Sequence, residues 1–557
     1  MADSAGHGTA IVAGLALAAL LLAGCRRAAA PGAAPRRDLV IPIGAAPETY
    51  NPALATDSAS QLVASLTNAD LMHINPRTLA VEPALATAVD HLTPLRWIVH
   101  LRPGVRFSDG APFTAADVVF SFAVYTDPKL DAPERQLLTA DGKPIVARAL
   151  NPTTVELDLP APFAVGNRLF DSVWMLPRHR LEAAWRAGAL AHTWIAGAHP
   201  GAMAGLGPFR LQSVQAGTAV TLARNRYFWQ RGPGGARLPY LDRIRLRVIS
   251  DPNLKLTLFV RGEVDGISTL ASSDFARLRG NPCCRLLDAG AGLSVEVLVF
   301  NQKRGPAWFR QTVFRQAVSL AVDRANLARN VYAGYAQPLA SLTSPSDRRW
   351  ADPTPPTPVN LPAARALLRG AGYSWRAGQL YDASGARVAF SLLAPASNAD
   401  RMHMAVYLQQ DLARLGAQVV IVPLDFGNYV DRLLNRNDFE AALVGIQIPD
   451  ADPNEESTEW RLDGALHLWD LHPQSPPAWE RQLDALFRRQ LATPEFAARL
   501  AAYRQIQAIE HRELPLIPLV APDVLAAANP KLEGAAAALL PPHLLWNAAR
   551  LRWRAGH

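Results

Sequence analysis

The chain has 557 residues, about half of them apolar and 19% charged, with 56 Lys+Arg against 48 Asp+Glu and a formal net charge of +8. Its 13 Trp and 18 Phe exclude a mainly disordered chain, its three Cys exclude a disulfide-built scaffold, and its 45 Pro and 36 Gly follow no fixed period, which excludes collagen-like and repeat arrays. Only five cations are Lys, and the Arg are scattered without a run of five, so no stripe for nucleic acid is visible and no nucleic-acid partner is expected.

Length allows three to four domains or one large multi-lobed unit. Ala10 to Gly24 is an apolar run of 15 residues, too short for a bilayer span and suited to a signal-peptide core. It ends Leu22-Ala23-Gly24-Cys25, which resembles the bacterial lipobox. The resemblance implies loss of residues 1–24, lipidation of Cys25 and attachment to a membrane through that lipid, with 25–37 as a tether. The segment before Ala10 departs from the pattern, carrying Asp3 and no Lys or Arg.

Asp38 to Gly44 reads as an opening strand that runs into a loop. From 96 to 102, Trp97, Val99 and Leu101 fall on one face, the alternation of a half-buried strand. Pro103-Gly104 and Ser108-Asp109-Gly110 are turns, and Thr114 with Asp117 is a capping box that opens a helix to about Tyr125. Strands are expected at 207–211, 219–223 and 244–249. Asp251-Pro252 starts a helix that stops near Gly262, and Leu293 to Asn301 is strand-like, a possible crossover between lobes. Further on the period becomes 3.6: Phe314, Val318, Ala321 and Val322, then Met402, Ala405, Leu408, Leu412 and Leu415, ended by Gly416. Strands at 418–424 and 439–448 flank a helix, a long helix follows Thr493-Pro494-Glu495, and a late strand spans 514–520. This β-α-β alternation predicts an α/β chain with a partly parallel sheet.

Three stretches carry a family resemblance. They are Trp97 to Phe122; Gly207-Pro208-Phe209 through Trp229 with Pro239 to Ile244 and Gly262 to Gly266; and Phe300-Asn301 with Phe314 to Val318 and Ala321 to Arg324. Together they resemble the solute-binding proteins for peptides, nickel and related solutes, the extracytoplasmic receptors of ABC importers. The resemblance implies an α/β, two-lobed periplasmic-binding-protein-like fold. Lobe 1 would comprise 38–47, 201–292 and 520–557, with 48–200 inserted into it as a subdomain, and lobe 2 would comprise 293–519. It further implies closure over a peptide or other small solute, delivery to an ABC permease of the inner membrane, and a monomer in the periplasm or cell envelope. The alternatives are a sensory or interaction lipoprotein on the same fold and a receptor for nickel or another solute.

The resemblance points to three ligand loops: Glu48, Thr49, Tyr50 and Asn51; Asn301 and Gln302; and Ile446, Gln447, Asp450 and Asp452. In peptide binders the third loop usually holds a Trp and an Asp that pairs with the peptide amine. Here those places hold Ile446 and Pro449, and Asp450 stands one residue off. Asp450, Asp452, Asn454 and Glu456 alternate like an EF-hand loop, but position six is Glu455 and position twelve is Arg461, so no calcium is expected. His467, Trp469 and His472 form an aromatic segment without a third metal ligand, and Cys283-Cys284 lacks the spacing of a redox site. No Gly-x-Ser-x-Gly, His-Glu-x-x-His or phosphate loop occurs, so neither catalytic residue, cofactor nor metal is expected.

Overall fold

A computed structural model describes residues 37–554, apart from positions 141 and 172. The signal segment 1–24, Cys25 and the tether up to residue 36 lie outside the described residues. No helix among the described residues is long and apolar enough to cross a membrane.

Alternation builds the sheet of the first lobe. Asp38–Ile43 lies parallel to Arg243–Val248, with Asp38 opposite Arg243 and Ile43 opposite Val248. Ala219–Arg224 and Phe209–Gln215 extend the sheet antiparallel. Leu39, Ile41, Leu222, Ile244 and Leu246 share one buried cluster, so the period-2 pattern presents a single apolar face.

The inserted subdomain holds a four-stranded antiparallel sheet in the order Ala86–Thr93, Arg96–Leu101, Thr154–Asp158, Val146–Asn151. Trp97, Val99 and Leu101 point into its core with Phe107, Phe120 and Phe122. The turns before the helix require left-handed backbone at Gly104 (φ 75) and Gly110 (φ 95). Helix Ala115–Tyr125 begins at the expected capping box, the Thr114 N–H donating to the Asp117 carboxylate at 2.9 Å.

In the second lobe Val295–Phe300 lies between Leu516–Ala528 and Ala441–Ile446, antiparallel to both. Ala389–Pro395 runs parallel to Ala441–Ile446 and to Gln418–Leu424. Helix Ala399–Leu415 links the last two parallel strands, capped by the Asn398 side chain and ended by Gly416 at φ 100.

The late strand differs from its expected span. Expected over 514–520, it spans Leu516–Ala528 and runs through Pro522 and Asp523. Its first part pairs with Val295–Phe300 and its last part with Arg285–Ala291, so one strand belongs to both lobes. Pro522 is accommodated because its carbonyl, not its missing N–H, meets Gly292, which donates to it at 2.8 Å. A Cβ on Gly292 would stand 3.1 Å from that carbonyl, so the two passages between the lobes run in close contact. The large apolar cores stay within single lobes or the insert. A small cluster of Ile74, Leu79, Leu293, Ala451, Leu539 and Leu540 is shared across the junction.

Candidate functional site

The loop after Ala441–Ile446 delivers Asp450 and Asp452 to the face of lobe 2 that meets the insert. Asp450 accepts from Arg168 of the insert through both carboxylate oxygens, with Nε to Oδ2 at 2.6 Å. Each partner is also tied to its own side: Arg168 Nη1 donates to the Leu79 carbonyl at 3.0 Å, and Asp450 Oδ1 accepts from the Ala451 N–H at 2.6 Å. Two residues on, Asp452 forms a second forked pair with Arg499, at 2.6 and 3.0 Å. Arg499 is held within lobe 2 by Gln490 Oε1 at 2.9 Å, and it reaches across to the insert at the Ala164 carbonyl, 3.0 Å away. Both arginine side chains are buried, at 6% and 4% exposure.

These two guanidiniums face an excess of carboxyl groups. Burial lowers the pKa of Arg168, but hydrogen bonding to Asp450 and the charges of Asp450, Asp452 and Asp347 outweigh it and raise the value. Burial first, then the charges of Asp450 and Asp452, push Glu455 up to about 7. Burial likewise lifts Asp347 and Glu456 to about 7. Glu456 accepts from Tyr503 and from Trp460 Nε1, each at 2.7 Å. A cavity of about 10 Å³ lies beside Asp450, lined also by Thr343, Asp347, Trp350, Asp452 and Glu456. It has room for about one water.

The structure gathers only part of the expected ligand set. Ile446 is buried in the core of lobe 2, and Gln447 is exposed, accepting from the Ser294 hydroxyl at 3.1 Å. Asn301 and Gln302 do not join Asp450, contrary to expectation. Val295 stands opposite Ile446 and Phe300 opposite Ala441, so Asn301 follows the far end of the strand, roughly 20 Å along it. Asn301 is wholly occupied by its own lobe, donating to Asn437 and accepting from the N–H groups of Lys303 and Arg304. The Gln302 backbone is tied to Trp469 and Arg310. Asn51 is likewise a buried structural residue. It caps Pro52–Leu54 and donates to the carbonyls of Leu190 and Thr193. Tyr50 packs between the lobe-1 sheet and the insert, whereas Glu48 is exposed.

His467 and Trp469 are buried inside lobe 2, where Trp469 donates to Glu480 at 2.8 Å. A group the sequence reading did not assemble is Asp70, His73 and Asp171, whose ligating atoms lie within 4.8 Å of one another. His73 Nδ1 is 3.1 Å from Asp70 and 3.2 Å from Asp171. Burial opposes its charge, but the two carboxylates outweigh burial and raise the imidazole well above its usual value. Arg168 was missed for a similar reason. It lies 282 positions from Asp450 in a short turn, and nothing local in the sequence marks its partner.

The model of the family described as bacterial extracellular solute-binding proteins, family 5 Middle, matches residues 80–465. The chain is 26% identical over 544 residues to the glutathione-binding protein GsiB of Shigella boydii, covering 95% of this chain and 96% of the relative. Among solved structures, the ABC transporter substrate-binding protein CtaP from Listeria monocytogenes superposes with a TM-score of 0.79 at 22% identity, covering 93% of this chain and 100% of the other. The oligopeptide-binding protein AppA from Bacillus subtilis, in complex with a nonapeptide, gives a TM-score of 0.70 at 22% identity, covering 94% and 100%.

Proposed function

Because the chain belongs to the bacterial extracellular solute-binding proteins of family 5, we propose that it is a receptor, anchored through Cys25, that closes its lobes over a peptide or peptide-like solute. It then presents that solute to the permease of an ABC importer. The observation that carries this reading is the construction of the lobe junction. The large cores are segregated, two adjacent passages near Gly292 and Pro522 connect the lobes, and the contact across the cleft is limited to a small apolar cluster and a few polar groups, Arg168 with Asp450 and Arg499 with the Ala164 carbonyl. Such a junction supports hinge closure rather than a fixed domain interface. Two of the proteins it resembles, a glutathione-binding protein and an oligopeptide-binding protein, favour a peptide-like solute. Within the expected set, Asp450 is the residue we assign to the solute, with Gln447 beside the same loop.

The reading is tested by thermal unfolding of the purified protein against peptides, sugars and metal chelates. A bound solute at 100 times its Kd is expected to stabilise the protein by about 2.7 kcal/mol. No shift with any peptide of two to ten residues overturns the peptide reading.

A further inference from the structure

Asp450, the carboxylate closest to an amine anchor, already holds a cation supplied by the chain itself. Arg168 comes from the inserted subdomain and Asp450 from lobe 2, so the pair spans the cleft. The space beside Asp450 is about 10 Å³, room for about one water, and both its carboxylate oxygens are engaged by Arg168, so a solute takes this carboxylate by displacing Arg168. Separating the lobes does this, since the two partners leave on opposite sides.

What remains after separation is instructive. Arg168 keeps the Leu79 carbonyl and Asp450 keeps the Ala451 N–H, each from its own side of the cleft. Both groups therefore stay aimed into the gap, one cationic and one anionic. A solute bearing only a cation would satisfy Asp450 and leave the buried Arg168 guanidinium without its hydrogen-bonded carboxylate partner when the lobes close. A purely anionic solute would leave Asp450 in the same condition. Either outcome leaves one buried charge without its forked partner, and removing one partner of a buried pair is costly. Neutral solutes fail on both counts.

Resting on the peptide-like reading, we propose that Arg168 is a specificity-determining residue that receives the solute's carboxylate while Asp450 receives its ammonium. The receptor thereby selects dipolar solutes by exchanging its own ion pair for theirs. Arg499 has no such part, because its counter-ion Asp452 moves with it. The forked guanidinium suits a carboxylate, which it can meet with two parallel hydrogen bonds.

The test uses the purified protein and a panel of free di- and tripeptides including glutathione, each also prepared with its amine acetylated or its carboxylates amidated. Binding is followed by calorimetry. In the unmodified protein, blocking either charge is expected to weaken binding at least tenfold. In Arg168→Met the amidation penalty should fall to within about twofold while the acetylation penalty persists, and Asp450→Asn should show the reverse. Arg168→Lys, which keeps the charge without the fork, should retain part of the amidation penalty and serves if the Met variant does not fold. Free peptides that bind with penalties unchanged by these substitutions overturn the exchange and leave the peptide reading intact. No binding of any free or blocked peptide overturns both.

Discussion

Two arginine–aspartate pairs stand side by side at the lobe junction and are built in opposite ways. Arg499 and Asp452 both belong to lobe 2, are 4% and 5% exposed, and are braced by Gln490 and the face of Trp350. Arg168 and Asp450 come from different bodies, and Asp450 is more open, at 17% exposure. On the proposed hinge motion the Arg499–Asp452 pair stays joined as the lobes part, whereas the Arg168–Asp450 pair is separated and rehydrated. The first would then serve stability, and the second would be the contact that opening gives up.

The difference predicts unequal costs. Arg499→Met leaves Asp452 buried without its counter-ion, and chemical denaturation should show a loss of about 3–5 kcal/mol. A loss below about 1 kcal/mol would place Asp452 in contact with water and erase the contrast between the pairs.

The carboxyl groups around both pairs give the next effect. Burial raises Glu456 from 4.5, and Asp347 from 3.8, to about 7. The folded protein thus keeps protons that the unfolded chain has released. Stability from these groups is complete below their unfolded pKa values and is lost as pH rises through about 7. The melting temperature should fall between pH 5 and pH 8, and Glu456→Gln should flatten the slope by about one proton, worth roughly 2–3 kcal/mol over that span. A melting temperature that rises across this range contradicts the assignment.

Breaking the cross-cleft pair should cost less. Asp450→Asn is expected to lower unfolding stability by about 1–2 kcal/mol, short of the buried-pair range, because the freed Arg168 can hydrate by lobe separation. Small-angle scattering should show a larger radius of gyration for the variant than for the unmodified protein at equal ionic strength. Equal radii would mean that the pair does not hold the cleft shut.

The sequence made the scaffolding of this contrast readable but not the contrast itself. Alternation at Trp97, Val99 and Leu101 and the Thr114–Asp117 cap announce local structure, because both depend on neighbours within a few positions. The strand Leu516–Ala528 was legible only to Val520, because Pro522 is tolerated through a partner more than 200 residues away, at Gly292. Asp450 could be singled out from its loop, yet its partner Arg168 could not, since an ion pair leaves no periodicity in a chain. Asn51 and Asn301 stand in two of the loops to which the family resemblance points. Both prove to cap turns, a use that local sequence does not distinguish from ligand binding.

An exposed pair sets the lower end of the comparison. Arg178 and Glu182 lie one helical turn apart on the insert, with Arg178 Nε donating to the Glu182 carboxylate at 2.8 Å and the Arg178 side chain 46% exposed. Water screens this pair in the folded protein nearly as well as in the unfolded chain, and Glu182 retains Arg186 as a second partner at 2.6 Å. Arg178→Ala should therefore change unfolding stability by no more than about 0.5 kcal/mol. Its effect should also be smaller than those of Asp450→Asn and Arg499→Met in the same denaturant series. If Arg178→Ala matches Asp450→Asn, then forked geometry and position across the cleft add nothing to the Arg168–Asp450 pair beyond an ordinary surface contact. The distinction between a replaceable and a permanent pair would then rest on Arg499 alone.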